Sequence, residues 1–428
     1  MDRFQTDCRY DCYKLCRKLL LLSGLWPYDK FRNRLLHMGV IIVYDISIMF
    51  VQIANYFVCD TIQCVFKTLP MNMMAVMVLV KIFTYHFNRQ KIKGLLEHLH
   101  SDWNVLHCEE EFVIMKKYAE TGRFYSFFYA TSIYSITFFI FGCTVLVSRF
   151  MDIVSPLNES RPIILPCPAN YFVDEEEYFY YICVHLLIGA FVCITGLVAH
   201  DCNFFTFVEH VCGLFEIVGF RFEHLLYERN IKEKSLIEFS DNIYVKNIEF
   251  SIEAHRRALH FVALLENTFC LSFAVQLLIV TTGMSITLLY ISSELQGDMI
   301  EVVRFVPFVI GQLGHLLIYS YEGQKIINHS LELCQKIYNG LWYNIPVKSQ
   351  RLLLFAMRKN VEPSFVSAGK IYIFCLESFT SVKCCNARSR TLRYCQLSTS
   401  HNNGADDSSD SSSETTFQHI AEVTLRAM

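Results

Sequence analysis

The chain has 428 residues, of which 53% are hydrophobic, 14% aromatic and 18% charged, with a formal net charge of −3 at pH 7. Its mean hydropathy is +0.30. So apolar a composition over this length describes a polytopic membrane protein, and the near balance of charge excludes a nucleic-acid partner recognised through bulk charge.

Residues 1–37 form an N-terminal segment with eight cations, from Arg3 to Arg34, around a short apolar patch at 19–22. That patch is too short for the hydrophobic region of a signal peptide, and no small-residue cleavage site follows it. The first span must therefore deliver the chain to the membrane. Cys8, Cys12 and Cys16 recur every four residues and fall on one stripe of a helix. The stripe reads as the apolar face of a helix lying on the bilayer, with palmitoylation or metal binding as the alternative.

Apolar stretches of roughly 20 residues predict spans at 38–57, 69–87, 125–147, 179–199, 264–290, 303–321 and 365–382. The segments on the N-terminal side of the bilayer carry 8, 6, 7 and 6 Lys or Arg residues, whereas the alternate loops carry only Lys67, Arg149 and Arg161, with Arg304 at the edge of the sixth span. Short loops rich in Lys and Arg stay in the cytoplasm. The expected fold is all-α: seven transmembrane helices over 38–382, a cytoplasmic N-terminus, long cytoplasmic helical extensions, and an atypical tail at 383–428. This orientation is opposite to that of a G-protein-coupled receptor. The basic segments 88–124 and 200–263 lack proline and keep apolar residues three and four apart, as in Leu95, Leu96 and Leu99, so they are predicted helical.

The outer loop 148–178 differs. Pro156, Pro162, Pro166 and Pro168 disfavour a regular helix there, and Asn158-Glu159-Ser160 is a glycosylation acceptor on the expected outer face. Cys59, Cys64 and Cys167 share that oxidising side; two of them can pair, and the sequence does not say which. Beyond the last span, residues 402–416 are polar with nothing to bury and are expected to be disordered.

Signatures of phosphate-binding loops, dinucleotide folds, zinc hydrolases and serine hydrolases are absent, so the sequence reads as a non-enzyme with no cofactor and no metal. Ionisable residues within spans are costly and stand out as candidates. Asp45 in the cytoplasmic half of the first span, Lys81 near the cytoplasmic end of the second and Glu266 near the start of the fifth can pair or snorkel at the interface, while His185 in the outer half of the fourth and Gln312 and His315 in the sixth are stronger candidates for ligand contacts or interhelical hydrogen bonds. The outer halves of the spans are rich in Met, Phe and Tyr. These residues suit an apolar pocket for a small hydrophobic ligand, with lipid-facing or interhelical packing as the competing reading.

The order Ser330, Tyr338, Trp342, Tyr343, Arg351, Leu353, Leu354, Pro363, Gly369, Lys370 and Phe379 resembles the C-terminal signature of the insect odorant receptors. Gustatory receptors share the layout, but their terminal Thr-Tyr and Gln-Phe signature is not found. A secondary transporter would show matching broken helices in two halves, and Pro307 is the one proline well inside a span. The resemblance implies a subunit of a ligand-gated cation channel in the plasma membrane of a sensory neuron dendrite, assembled with a co-receptor subunit as a hetero-tetramer among membrane lipid. It implies a hydrophobic odorant contacted by Met77, Tyr134, Phe138, Tyr181, His185 and Phe308. It further implies a subunit-interface anchor at Ser330, Tyr338, Trp342 and Tyr343, and a pore helix carrying Gly369, Ile373 and Phe379. The chain departs from the family after Val382, where Lys383, Arg388, Arg390 and Arg393 follow a short last span. The expectation is a missing or replaced outer pore segment and poor conduction.

Overall fold

The computed structural model describes residues 8–154, 165–224, 241–294 and 299–380, apart from 341, 346 and 361. The glycosylation acceptor Asn158 and the tail 383–428 lie outside the described residues.

In chain order the elements are helices α1 (Cys8–Leu22), α2 (Phe31–Tyr56), α3 (Ile62–Phe87), α4 (Arg89–Asn104), α5 (Glu109–Val154), α6 (Phe179–Glu223), α7 (Asp241–Glu294), α8 (Met299–Asn339) and α9 (Val347–Asn360), then strands β1 (Ser367–Ala368) and β2 (Tyr372–Ile373), and helix α10 (Leu376–Thr380). A short 3₁₀ turn at Trp342–Asn344 joins α8 to α9. Local chemistry fits these boundaries. Thr61 caps α3 by accepting from the Cys64 amide at 3.4 Å, and Glu109, Glu110 and Glu111 open α5, where carboxylates favour the positive end of the helix dipole. Pro70 sits inside α3, which a membrane helix tolerates when neighbours satisfy the freed carbonyl.

Five of these helices, α2, α3, α5, α6 and α7, hold windows long and apolar enough to cross a membrane. The sixth predicted stretch, 303–321, lies within α8. Helices α5, α6 and α7 are each much longer than a span needs and run into the described parts of the basic segments predicted helical.

At the centre is α6, packed against α1, α2, α3, α5, α7 and α8. Residues 196–215 are buried without interruption. A helix buried all round must be apolar all round or have each polar group paired. Here Phe204, Phe205, Phe207, Val208, Val211 and Phe215 supply the apolar surface, and polar residues interspersed among them meet partners on neighbouring helices. The expected boundary at 199 therefore marks no break in the helix. The α1 stripe also differs from expectation: Cys12 and Cys16 are buried in the bundle, and the Cys16 thiol donates to Asn203 Oδ1 at 3.4 Å. Polar and apolar partners inside the protein, rather than lipid, cover that face.

The seventh predicted span takes a different form. Over 365–380 the described residues make a β hairpin and the short α10 instead of one helix. Gly369 and Lys370 both have positive φ, at 62° and 60°, and the Ile371 amide donates to the Ala368 carbonyl at 3.1 Å. Successive positive φ values are left-handed backbone, which glycine adopts freely, and the three-residue loop 369–371 leaves Ser367 opposite Ile373 and Ala368 opposite Tyr372. Gly369 and Ile373 are thus hairpin residues, not pore-helix residues, and Phe379 alone of the three lies on a helix. Of the three cysteines expected on the outer side, Cys59 bonds Cys64 across the entry to α3; Cys167 takes no part in that bridge.

Candidate functional site

Within an apolar bundle a polar side chain must find its partner on another helix, so buried polar groups mark where helices are tied together. The densest such point is Asp201 of α6. Its Oδ1 accepts from Lys81 Nζ of α3 at 2.5 Å and from the Tyr319 hydroxyl of α8 at 2.5 Å, and lies 2.9 Å from His200 Nδ1; its Oδ2 accepts from the Tyr129 hydroxyl of α5 at 2.7 Å. His315 of α8 approaches Oδ2 at 3.9 Å. Lys81 and Asp201 are both fully buried. One carboxylate thereby joins four helices, and aromatic rings seal it: Phe204 stacks on Tyr319 at 5.2 Å with planes 8° apart. Beside it lies a small cleft lined by Phe273, Gln276, Leu277, Val280, His315, Leu316, Tyr319 and Phe374.

Toward the other end, His185 of α6 links the loop that precedes α6 to α2. Its Nε2 lies 3.1 Å from the Ser47 hydroxyl of α2, and its Nδ1 lies 2.8 Å from the Tyr171 hydroxyl of the loop. The loop is further held by the Asn170 amide, which donates to the Val51 carbonyl at 2.9 Å.

At the basic end a second set of ion pairs ties the helical extensions together. Glu111 of α5 receives both Arg221 Nε at 2.7 Å and Nη2 at 2.9 Å, and the Arg221 guanidinium stacks over Phe250 at 4.1 Å. Burial alone would raise the Glu111 carboxyl, but the hydrogen bonds and charge of Arg221, aided by the His107 amide, outweigh it and hold the group below the usual range. Asp102 meets His210 at 3.1 Å. Lys325 of α8 pairs with Glu209 and, at 2.7 Å, with Glu322; burial opposes its charge, yet the two carboxylates push its ammonium above the ordinary lysine value.

Of the six expected ligand contacts, Met77 is 2% exposed. Tyr134 turns inward, stacking on Phe191 at 5.9 Å and hydrogen-bonding Thr195 at 2.8 Å. His185 and Phe308 are half-buried. Phe138 and Tyr181 are 66% and 77% exposed and face out of the bundle, so the structure does not bring all six into one cavity. Of the four anchor residues, Tyr338, Trp342 and Tyr343 are exposed. Ser330 is not: it is buried, donates to the Ile327 carbonyl at 2.8 Å and accepts from the Ser364 amide at 3.1 Å. Its hydroxyl holds the segment leading to the hairpin and is not displayed on the surface of the chain.

Sequence reasoning missed Asp201, Tyr129 and Tyr319. The available signal was the aromatic run continuing past His200, which leaves an acidic residue no water and therefore demands a basic partner such as Lys81.

The described residues form a bundle of long helices centred on one buried carboxylate, with a hairpin between the last two helices and five helices long and apolar enough to cross a membrane. The insect olfactory receptor OR5 from Machilis hrabei, in complex with eugenol, superposes with a TM-score of 0.68 at 13% identity, over 92% of this chain and 100% of that one. A second structure of OR5 from the same species gives 0.66 at the same identity and coverage. No curated protein sequence matches the chain. The family model described as 7tm Odorant receptor matches residues 61–385, and the chain belongs to that family.

Proposed function

We propose that this chain is an odorant-receptor subunit that binds a small hydrophobic volatile within its bundle and, with a co-receptor subunit, gates a cation channel in the plasma membrane. The observation that carries this reading is the family match over 61–385. Eugenol, the compound complexed with OR5, is a small aromatic molecule of the proposed ligand class. The N-terminus is assigned to the cytoplasm by the partition of cations.

The ligand contacts proposed are the inward members of the expected set, Met77, Tyr134, His185 and Phe308. Met and aromatic side chains provide polarisable, adaptable apolar surface, and the hydroxyl of Tyr134 offers one polar contact to fix orientation. For subunit assembly, Tyr338, Trp342, Tyr343, Val347, Leu354 and Phe355 are exposed at the α8–α9 junction, and an apolar patch of this extent beyond the spans supports a protein partner. A ligand opens the channel only by its differential affinity for the open state.

The test is to co-express the chain with a co-receptor subunit and record current while screening volatiles. Ligand-evoked cation current that is absent from cells expressing the co-receptor alone supports the reading. Binding of a volatile by the purified chain with no current in any co-receptor pairing would restrict it to a binding protein.

A further inference from the structure

The hairpin found where the seventh span was expected is fastened to α7 by the carboxylate of Glu266 and by one backbone bond. Both oxygens of Glu266 are used on Ser367: one accepts from its amide at 2.7 Å, the other from its hydroxyl. The same hydroxyl accepts from the Lys370 amide at 3.2 Å, inside the turn, and the Gly369 amide donates to the Cys270 carbonyl of α7, one helical turn beyond Glu266, at 3.0 Å. Ser367 is fully buried. From the other side, α8 receives the hairpin: the Leu376 amide donates to Gln324 Oε1 at 3.2 Å, and Phe374 packs where Gly323 has no side chain. A Cβ at 323 would collide with the Phe374 backbone. Only two residues separate the end of β2 from the start of α10.

We propose that Glu266 is a positioning residue that latches the β1–β2 hairpin to α7 and thereby sets the register of the helix that follows. The inference rests on the channel reading given above, because it makes the hairpin the link through which movement of α7 and α8 reaches the C-terminal helix. A carboxylate is suited to this task because it alone accepts from an amide and a hydroxyl at once with charge assistance. Glutamine at the same position keeps the shape and one acceptor. The Phe374 ring, in edge contact with Phe273 of α7 at 5.3 Å and 5.8 Å from Tyr319 of α8, connects the latched hairpin to the Asp201 network through Tyr319.

The test uses the full chain in nanodiscs for amide hydrogen exchange, and with a co-receptor subunit for currents. Glu266→Gln is expected to speed exchange of the amides in 366–374 by about tenfold to a hundredfold, the range for losing one charge-assisted bond, while amides of α1 and α4 keep their wild-type rates. Ser367→Ala removes the hydroxyl contact, so adding it to Glu266→Gln is expected to change exchange less than it does in the wild type. Ligand-evoked current is expected to fall several-fold in Glu266→Gln at equal surface expression. Wild-type exchange over 366–374 in that variant would overturn the latch, and so would a loosened hairpin with wild-type current. A wild-type chain that gives no current in any pairing contradicts the channel reading, and the exchange measurement then still decides the latch.

Discussion

Lys81 and Asp201 meet at 2.5 Å with neither side chain exposed to solvent, so the pair that fastens α3 to α6 is also the pair that the bundle can least easily lose. Moving two charges out of water costs several kcal/mol each, and their mutual attraction together with the hydroxyls of Tyr129 and Tyr319 offsets that cost. The balance is asymmetric. Removing one partner strands the other.

Lys81→Met is therefore expected to destabilise the bundle by about 3–5 kcal/mol, whereas Lys81→Met combined with Asp201→Leu recovers much of that loss. Thermal unfolding of the purified variants in one detergent checks both values. A double variant as unstable as the sum of the singles contradicts the asymmetry.

The Glu111–Arg221 pair gives a pH dependence of definite sign. The folded-state value of Glu111 is lowered, so its contribution is present above the unfolded value, about 4.3, and is lost as pH falls through the lower folded value. Melting temperature measured between pH 7 and pH 3 is expected to drop less steeply for Glu111→Gln than for the wild type, with the variant already less stable by about 1.5–3 kcal/mol at pH 7.

Burial shields Cys12 and Cys16 of α1 from reagents. The Cys16 thiol is pushed up to about 12 by burial, against the opposing hydrogen bond with Thr206, so almost no thiolate exists at neutral pH. Maleimide labelling of the folded protein is expected to spare Cys12 and Cys16, and labelling after denaturation to reach both. Modification of either in the folded protein, by maleimide or by a fatty acyl group, contradicts the packing of α1 on α6.

Inward and outward aromatic residues should separate in function. Tyr134→Ala loses the stack on Phe191 and the hydrogen bond to Thr195, and is expected to shift the concentration for half-maximal ligand response by tenfold or more; Phe138→Ala, on an exposed face, is expected to shift it less than threefold. Dose–response curves at matched expression check the contrast.

Much of the architecture was legible in the sequence because membrane helices announce themselves through length and hydropathy, and the basic segments kept helical spacing through Leu95 and Leu99. The limit was reached where local pattern and tertiary context part. The stretch from Phe365 is apolar enough for a span, but Gly369 and Lys370 adopt left-handed backbone because Glu266 and Cys270 of a distant helix hold their neighbours. Hydropathy ends the fourth span at Ala199; the helix continues because Asp201 finds Lys81, a partner 120 positions away. The proposed ligand contacts were the least legible. A Met or aromatic residue reads the same whether it faces a ligand, as proposed for Met77, or the outside, as Tyr181 does.

In the proposed function the orientation of the bundle decides which end would meet the odorant and which the other subunits, and that orientation is inferred from the cationic segments before α2, around α4 and after α6. An epitope fused ahead of Met1, probed by antibody on intact and then permeabilised cells, measures it directly. The account predicts staining only after permeabilisation; staining of intact cells would contradict it.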